Sequence, residues 1–293
     1  MNRRRKPGTG AAAALIVIGC ALLALCVKLW LQLPAPAAPP EAAERPGAAS
    51  AAPIPTPEPR SEPTPVPTPE PTPEPTPEPT PEPGPLIVLD PGHQLHGDYG
   101  QEPLGPGSDE TKARVTDGTQ GVVTGIPEYE LNLAVSLLLR EELEARGYRV
   151  VLTRETNDVS LSNMERAQIA NELGATAFLR IHANGVEDPT VRGVMTICLT
   201  AQNPYHPELY PGSRALAEAV LEALGDAVGC EAGLRSLWET DSMSGINHAA
   251  VPTVIVEMGY LSNPDEDRLL ADPAYRALIA AGIADGLDAW FAD

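Results

Sequence analysis

Residues 86–293 predict an α/β domain in which a largely parallel or mixed sheet carries helices on both faces. Short β-rich runs alternate there with stretches of helical period, the order that βα units produce. Three of the runs lead to a metal-ligand residue type or an acid. Leu86-Ile87-Val88-Leu89-Asp90-Pro91-Gly92 leads to His93, Ala177-Phe178-Leu179-Arg180-Ile181 to His182, and Val254-Ile255-Val256 to Glu257. Strand ends are where ligands and catalysis collect in open α/β sheets, so the repetition points to one shared site.

The first strand covers residues 86–89 and is closed by the Asp90-Pro91-Gly92 turn. From Gly92 to Pro127 glycine and polar residues dominate without a sustained period, which predicts a long irregular loop bordering the site. A helix over 128–146 ends at Gly147 as its C′ residue, and a strand follows over 149–153. The helix over 163–173 opens with a capping box, Ser162 and Glu165, and ends at Gly174. Strands over 177–181 and 193–199 precede a helix over 212–228. A strand over 253–257 precedes the last helix, 273–291, which has Asp272 as N-cap and Pro273 at N1.

Ahead of the domain, Arg3, Arg4, Arg5 and Lys6 precede an apolar stretch over residues 11–33, interrupted by Lys28 and Gln32. A run of about 20 residues suits a bilayer span, and the flanking charges place residues 1–10 in the cytoplasm as a basic tail. A cleaved signal peptide and a lipoprotein anchor at Cys20 are the alternatives; continuation of the apolar run past Cys20 argues against the second. Residues 34–85 are dominated by Pro, Ala, Glu and Thr and settle into a Pro-Thr-Pro-Glu repeat. With almost nothing apolar to bury, they predict a disordered linker in extended polyproline II, reaching at most roughly 160 Å at about 3.1 Å per residue. The expected organisation is therefore a tail (1–10), a transmembrane signal anchor (11–33), a Pro/Thr/Glu-rich linker (34–85) and a catalytic domain (86–293) outside the cell membrane.

The domain holds 32 Asp plus Glu against 13 Lys plus Arg, a net of about −19 that argues against a nucleic-acid partner. Cys198 and Cys230, the cysteines beyond the membrane segment, are able to pair in an oxidising exterior, and no CxxC spacing makes them zinc ligands.

The residues at the strand ends read as a hydrolytic zinc centre. His93 and His182, the latter trailed by the small, turn-forming Ala183-Asn184-Gly185, form an incomplete shell that needs a third protein ligand and leaves a fourth position for water. Glu128 fits that place, at a helix start after Pro127 where the helix dipole favours a carboxylate; spacing alone leaves Glu130 as an alternative. Glu257 is a carboxylate attached to a buried strand, so it needs a partner or a raised pKa, and both suit a general base. Met258 to Asn263 predict a tight loop beside the site.

Taken in order, Leu89-Asp90-Pro91-Gly92-His93, Glu128 with Asn132-Leu133, Arg180-Ile181-His182-Ala183-Asn184, and Pro252 through Glu257-Met258-Gly259-Tyr260-Leu261-Ser262-Asn263 resemble the zinc-dependent N-acetylmuramoyl-L-alanine amidases of the amidase-3 type. The similarity spans essentially all of residues 86–293, and Gly147 to Arg154 look like the family's second strand. The resemblance implies one Zn2+ held by His93, Glu128 and His182, with Glu257 as the catalytic glutamate. The Asn132-Leu133 pair then selects Glu128 over Glu130. It further implies a single domain with a mixed, mostly parallel sheet of about six strands. The implied reaction is hydrolysis of the amide joining N-acetylmuramic acid to the L-alanine of the peptidoglycan stem.

Some relatives carry a long insertion that forms a blocking helix over the zinc, relieved by an activator protein. Residues 185–214 are short here, so neither device is expected. His206 and His248 match no ligand position and are expected on the surface or in loops; His96, close to His93, is a candidate for substrate contact. The rival readings are a zinc peptidase of the carboxypeptidase type and a catalytically silent wall-binding module.

Overall fold

The computed structural model describes residues 84–292. The basic tail, the 11–33 segment and the linker up to residue 83 lie outside the described residues, and no described helix is long and apolar enough to cross a membrane.

The strands are β1 (Leu86–Pro91), β2 (Asp98–Pro103), β3 (Thr111–Val115), β4 (Arg149–Leu152), β5 (Ala177–Asn184), β6 (Val194–Cys198), β7 (Arg235–Glu239) and β8 (Thr253–Tyr260). Six of them form one sheet in the order β4-β1-β5-β8-β6-β7. Neighbours run parallel except β6, which is antiparallel to β8, so the sheet is mixed and mostly parallel as expected. The helices are α1 (Glu128–Ala145), α2 (Asn163–Glu172), α3 (Tyr210–Ala227), the single turn α4 (Ser244–Asn247), α5 (Pro264–Ala271) and α6 (Pro273–Ala292).

Period-2 alternation divides the sheet into a packing face and a working face. Ile87 and Leu89, Leu179 and Ile181, and Val254 and Val256 form one buried cluster with Leu131, Val135 and Leu139 of α1, Leu216 and Val220 of α3, and Ile279 and Ile283 of α6. The intervening positions point the other way. Val88 and Phe178 pack on Ala167 and Ala170 of α2, and further along the same face stand Asp90, Arg180, His182 and Glu257. The helix termini behave as read: the Ser162–Glu165 capping box is formed, Asp272 Oδ1 accepts from the Ala274 amide, and Gly147 and Gly174 adopt left-handed φ of 91° and 59°.

Several expectations are corrected. Residues 92–127 are not irregular throughout, because β2 and β3 pair as an antiparallel hairpin. Asp98-Tyr99-Gly100-Gln101-Glu102-Pro103 buries one side chain, Glu102, so no apolar alternation announces it. β7 and α5 were also absent from the expected elements. The strands β5 and β8 run past the predicted ends, so His182 and Glu257 lie within strands. Cys198 and Cys230 are both unpaired, the first buried in the main core cluster and the second packed at its margin, which sets aside their pairing. Residues 185–214 hold β6, a 3-10 turn over Pro207–Leu209 and the start of α3.

α3 and α6 meet at glycines. A Cβ on Gly286 would come within 2.5 Å of Val220 Cα and 2.8 Å of the Ala219 carbonyl oxygen. In an isolated helix Gly→Ala stabilises by about 1 kcal/mol. Here the obstacle is backbone, and Gly286→Ala is expected to destabilise the protein by about 1–3 kcal/mol in chemical denaturation, as overpacked cores do.

Candidate metal centre

His93 closes the turn after β1 with φ of 60°, the only non-glycine residue with positive φ among the described residues. Such a conformation costs of order 1–3 kcal/mol and persists only where the surroundings over-determine it. The surroundings here are buried arginines. Arg166 donates to the carbonyls of Pro91 (2.9 Å) and His93 (3.0 Å), and Arg154 to those of Pro91 (2.8 Å) and Gly92 (3.0 Å). Beneath them the Asp90 carboxylate, fully buried, accepts from Arg166 Nη1 (2.8 Å), Arg180 Nε (2.8 Å) and Thr153 Oγ1 (2.6 Å). Burial alone would raise its pKa; Arg166 and Arg180 overcome that and hold the carboxyl well below the usual carboxylate range. Gly92 completes the turn, since a Cβ there would collide with the His182 imidazole.

Three side chains converge beside this turn. Glu128 Oε1 stands 3.2 Å from His93 Nε2 and 3.2 Å from His182 Nδ1, and the ligand-capable atoms of the three residues lie within 4.8 Å of one another. Glu128 is the first residue of α1, where unsatisfied amides and the dipole favour an anion. Its Oε2 accepts from the Thr119 amide (2.9 Å), and Asn132 Nδ2 ties Oε1 (3.3 Å) to the Gly92 carbonyl (3.2 Å). Burial would raise its pKa, yet the two histidines hold it low, so it is a carboxylate. Glu130 is exposed and lies outside this cluster, which contains Glu128.

The His93 Nδ1–H donates to the Thr116 carbonyl (2.8 Å), a contact that orients the ring and leaves Nε2 as the free lone pair. Burial works against protonation of His93, but Glu128 and the Thr116 carbonyl outweigh it and the pKa is raised. Burial pushes His182 down to about 4, so it stays neutral at pH 7 with its lone pair available. Across the β5–β8 pair, in direct register with His182, stands Glu257. Burial first, and the Glu128 charge second, push its carboxyl up to about 8.

Two observations make this set a good cradle for a divalent cation. His182 Nε2 and Glu257 Oε2 are buried with no hydrogen-bond partner, and buried polar atoms are rarely left so without reason. The Glu128 carboxylate lies between two imidazoles, with the Glu257 carboxyl close enough to feel its charge, a set of donors that a cation draws together. Two imidazoles and a carboxylate are a donor set that suits zinc while leaving a coordination position open. The cavity that holds His93, His182 and Glu257 measures about 270 Å3 and is walled by the β2–β3 hairpin, α4 and the start of α2.

The four predicted site residues are thus brought together. His96 is not: it is exposed and lines a separate depression with Gly97 and Tyr99, so the structure does not place it at the cavity. His206 contacts Glu208 (3.3 Å) and His248 the Pro103 carbonyl (3.0 Å), both away from the centre. Missed by the sequence reading were Arg154, Arg166 and Arg180. The readable signal was Arg180 itself, a charge inside an otherwise apolar buried strand, where an arginine stands only if paired.

A buried histidine–carboxylate–histidine set beside an unpaired glutamate at parallel strand ends is the constellation of a metal-dependent hydrolase. Comparison with known proteins narrows this. Residues 87–289 match the family described as N-acetylmuramoyl-L-alanine amidase, the amidase-3 family, and the chain belongs to it. The amidase AmiA of Salmonella typhimurium is 26% identical over 240 residues, 70% of this chain and 76% of that protein. An N-acetylmuramoyl-L-alanine amidase of Mycobacterium tuberculosis is 28% identical over 214 residues, 71% of this chain and 86% of its own length. Among solved structures, the N-acetylmuramyl-L-alanine amidase of Mycobacterium smegmatis superposes with a TM-score of 0.64 at 29% identity, covering 71% of this chain and 97% of that one. The family membership displaces the peptidase reading.

Asp90 makes the turn testable. Removing one partner of a buried ion pair costs about 3–5 kcal/mol, so Asp90→Asn should lose that much stability at pH 7 in chemical denaturation. The folded pKa lies below the ordinary 3.8, so the unfolded state takes up the proton first as pH falls. The wild-type advantage is therefore complete above pH 3.8 and should shrink on acidification below it.

Proposed function

We propose that the chain hydrolyses the amide between N-acetylmuramic acid and the L-alanine of the peptidoglycan stem peptide, holding one Zn2+ with His93, Glu128 and His182 and using Glu257 as the proton-transfer residue. The observation that carries the division of roles is the pairing of His182 with Glu257 across β5 and β8: one lies in the three-residue donor cluster and the other does not. A zinc ion in this cluster supplies Lewis acidity towards a carbonyl oxygen and lowers the pKa of a water towards about 7. Glu128 and the two histidines do the holding, with Asn132, Thr119 and the Thr116 carbonyl fixing their orientation. Glu257, whose Oε2 has no protein partner, takes a proton from the attacking water and delivers it to the departing amine of L-alanine. Its buried setting keeps the proton on the carboxyl between the two transfers.

The N-terminal segments complete the reading. The stretch at 11–33 anchors the chain in the cell membrane, and the Pro-Thr-Pro-Glu linker holds the catalytic domain out in the wall. Activity without an activator protein is supported by the β5–β6 connection, which is short and lines no part of the cavity.

The test is digestion of purified peptidoglycan by the zinc-loaded chain, with mass analysis of the products. Free stem peptides beginning at L-alanine are expected, and they should vanish with chelator. Cuts confined to the peptide would sink the reading. Glu257→Ala should retain zinc, measured by metal analysis, while losing about 10²–10⁴-fold in turnover. His93→Ala and His182→Ala should lose both; a Glu257→Ala protein without metal would show that the roles are divided wrongly.

A further inference from the structure

The cavity extends from the metal cluster to a second wall, formed by Lys112 and Ala113 of β3, Asn163 at the start of α2, Arg180 of β5, and Ser244 and Gly245 of α4. That wall is cationic in a domain that is otherwise strongly acidic. Lys112 is the only lysine in residues 84–292, and it makes no ion pair among the described residues; its Nζ donates to the Ser242 carbonyl (2.6 Å). A lone lysine free of carboxylates, among so many acids, leaves its charge available to whatever occupies the cavity.

Arg180 is the second cation. It is 3% exposed, yet it lines the cavity. Its Nε donates to Asp90 (2.8 Å) and its Nη2 to Asn163 Oδ1 (2.6 Å), while Nη1 donates to nothing among the described residues. Gly245 is what lets the guanidinium pack there, because a Cβ at 245 would collide with Nη1. Behind Arg180 the arginines outnumber their ion-pair partners. Arg154, Arg166 and Arg180 are all buried, and the one carboxylate that pairs with any of them is Asp90. Buried charge needs compensation, and the other carboxyl that feels Arg180 across the cavity is Glu257.

We propose that this wall is a carboxylate subsite, in which Lys112 Nζ and Arg180 Nη1 bind a free carboxylate on the peptide side of the substrate, close to the amide that is cut. The inference rests on the amidase reading above. The peptide side follows from substrate chemistry: the muramoyl carboxyl is consumed in the scissile amide and the sugar is neutral, so the free carboxylates lie beyond L-alanine. Guanidinium and ammonium donors to a carboxylate form charge-assisted hydrogen bonds, stronger than those a neutral carboxamide accepts from the same donors. The subsite therefore discriminates stem peptides whose residue after L-alanine bears a carboxylate from those in which that group is amidated.

The test compares two synthetic N-acetylmuramoyl peptides, identical except for a carboxylate or a carboxamide on the residue after L-alanine, with the zinc-loaded full-length chain. The carboxylate substrate should be favoured by about tenfold in kcat/KM, chiefly through KM. Lys112→Met should erase most of that preference by raising KM for the carboxylate substrate, and Lys112→Arg should keep most of it. Lys112 stands on a partly exposed hairpin strand, so its replacement leaves the buried Asp90 cluster intact. Equal rates on both substrates, or a Lys112→Met loss that falls equally on both, would overturn the subsite and leave the amidase standing. Cleavage of neither peptide at the muramoyl–alanine bond would overturn the amidase reading and the subsite together.

Discussion

The centre depends on one buried carboxylate. Asp90 sits at the end of β1 with no access to solvent and gathers Arg166, Arg180 and Thr153 around it. Without it, guanidinium groups would lie buried without a countercharge, a cost of several kcal/mol per ion. With it, Arg166 is pinned where its remaining donors reach the Pro91 and His93 carbonyls, and Arg154 covers those of Pro91 and Gly92. Those contacts hold His93 in the left-handed conformation that aims its ring at Glu128. A candidate metal ligand on a loop is thereby made as rigid as one on a strand, which is what a preorganised site requires.

The other residues of the candidate centre take their positions from regular structure. His182 and Glu257 share a sheet face because each lies an even number of residues from a partner that points the same way, Arg180 and Ile255, and because β5 and β8 pair in that register. A slip of one residue would turn Glu257 to the packing face among Val254, Val256 and the α3 helix. The packing face thus does functional work: its apolar contacts fix the register that places the acid opposite the histidine. Glu128 arrives from a third direction, at the N-terminus of α1, whose Leu131, Val135, Leu139 and Leu143 lock the helix against that same face.

How much of this was legible follows from where each signal resides. β1, β5 and β8 announce themselves as apolar runs because they are buried on both faces. Ser162 with Glu165, and the glycines at 147 and 174, mark helix ends through backbone chemistry that operates locally. The β2–β3 hairpin is held by cross-strand pairing and by contacts from afar, such as Glu102 accepting from the Met164 amide and from Ser244, and no local pattern encodes those. α5 is a different case. Asn263 Oδ1 caps Asp265 and Glu266 with Pro264 in the first turn, a start signal present in the sequence and mistaken for part of a tight loop. The convergence of His93, Glu128, His182 and Glu257 was legible because each ends, opens or follows a readable element, and because separated motifs in one order narrow the choice. Lys112 was not, because its meaning depends on the hairpin that carries it.

The cavity therefore has two ends of opposite character. At one end Glu257 stands with the histidines that flank Glu128, a set that favours a cation; at the other, Lys112 and Arg180 present positive charge, which favours an anion. Arg180 joins the two, because its carboxylate partner supports the His93 turn while its own strand continues to His182 two residues on. Orientation follows from that polarity. An extended chain bound across such a cavity is fixed in direction as well as position, since reversing it would set a carboxylate against Glu257 and leave the lysine without a countercharge. In a partly enclosed cavity each of those mismatches costs more than it would in open water. The same buried charges that make the turn rigid thus also bias the direction in which a substrate can lie.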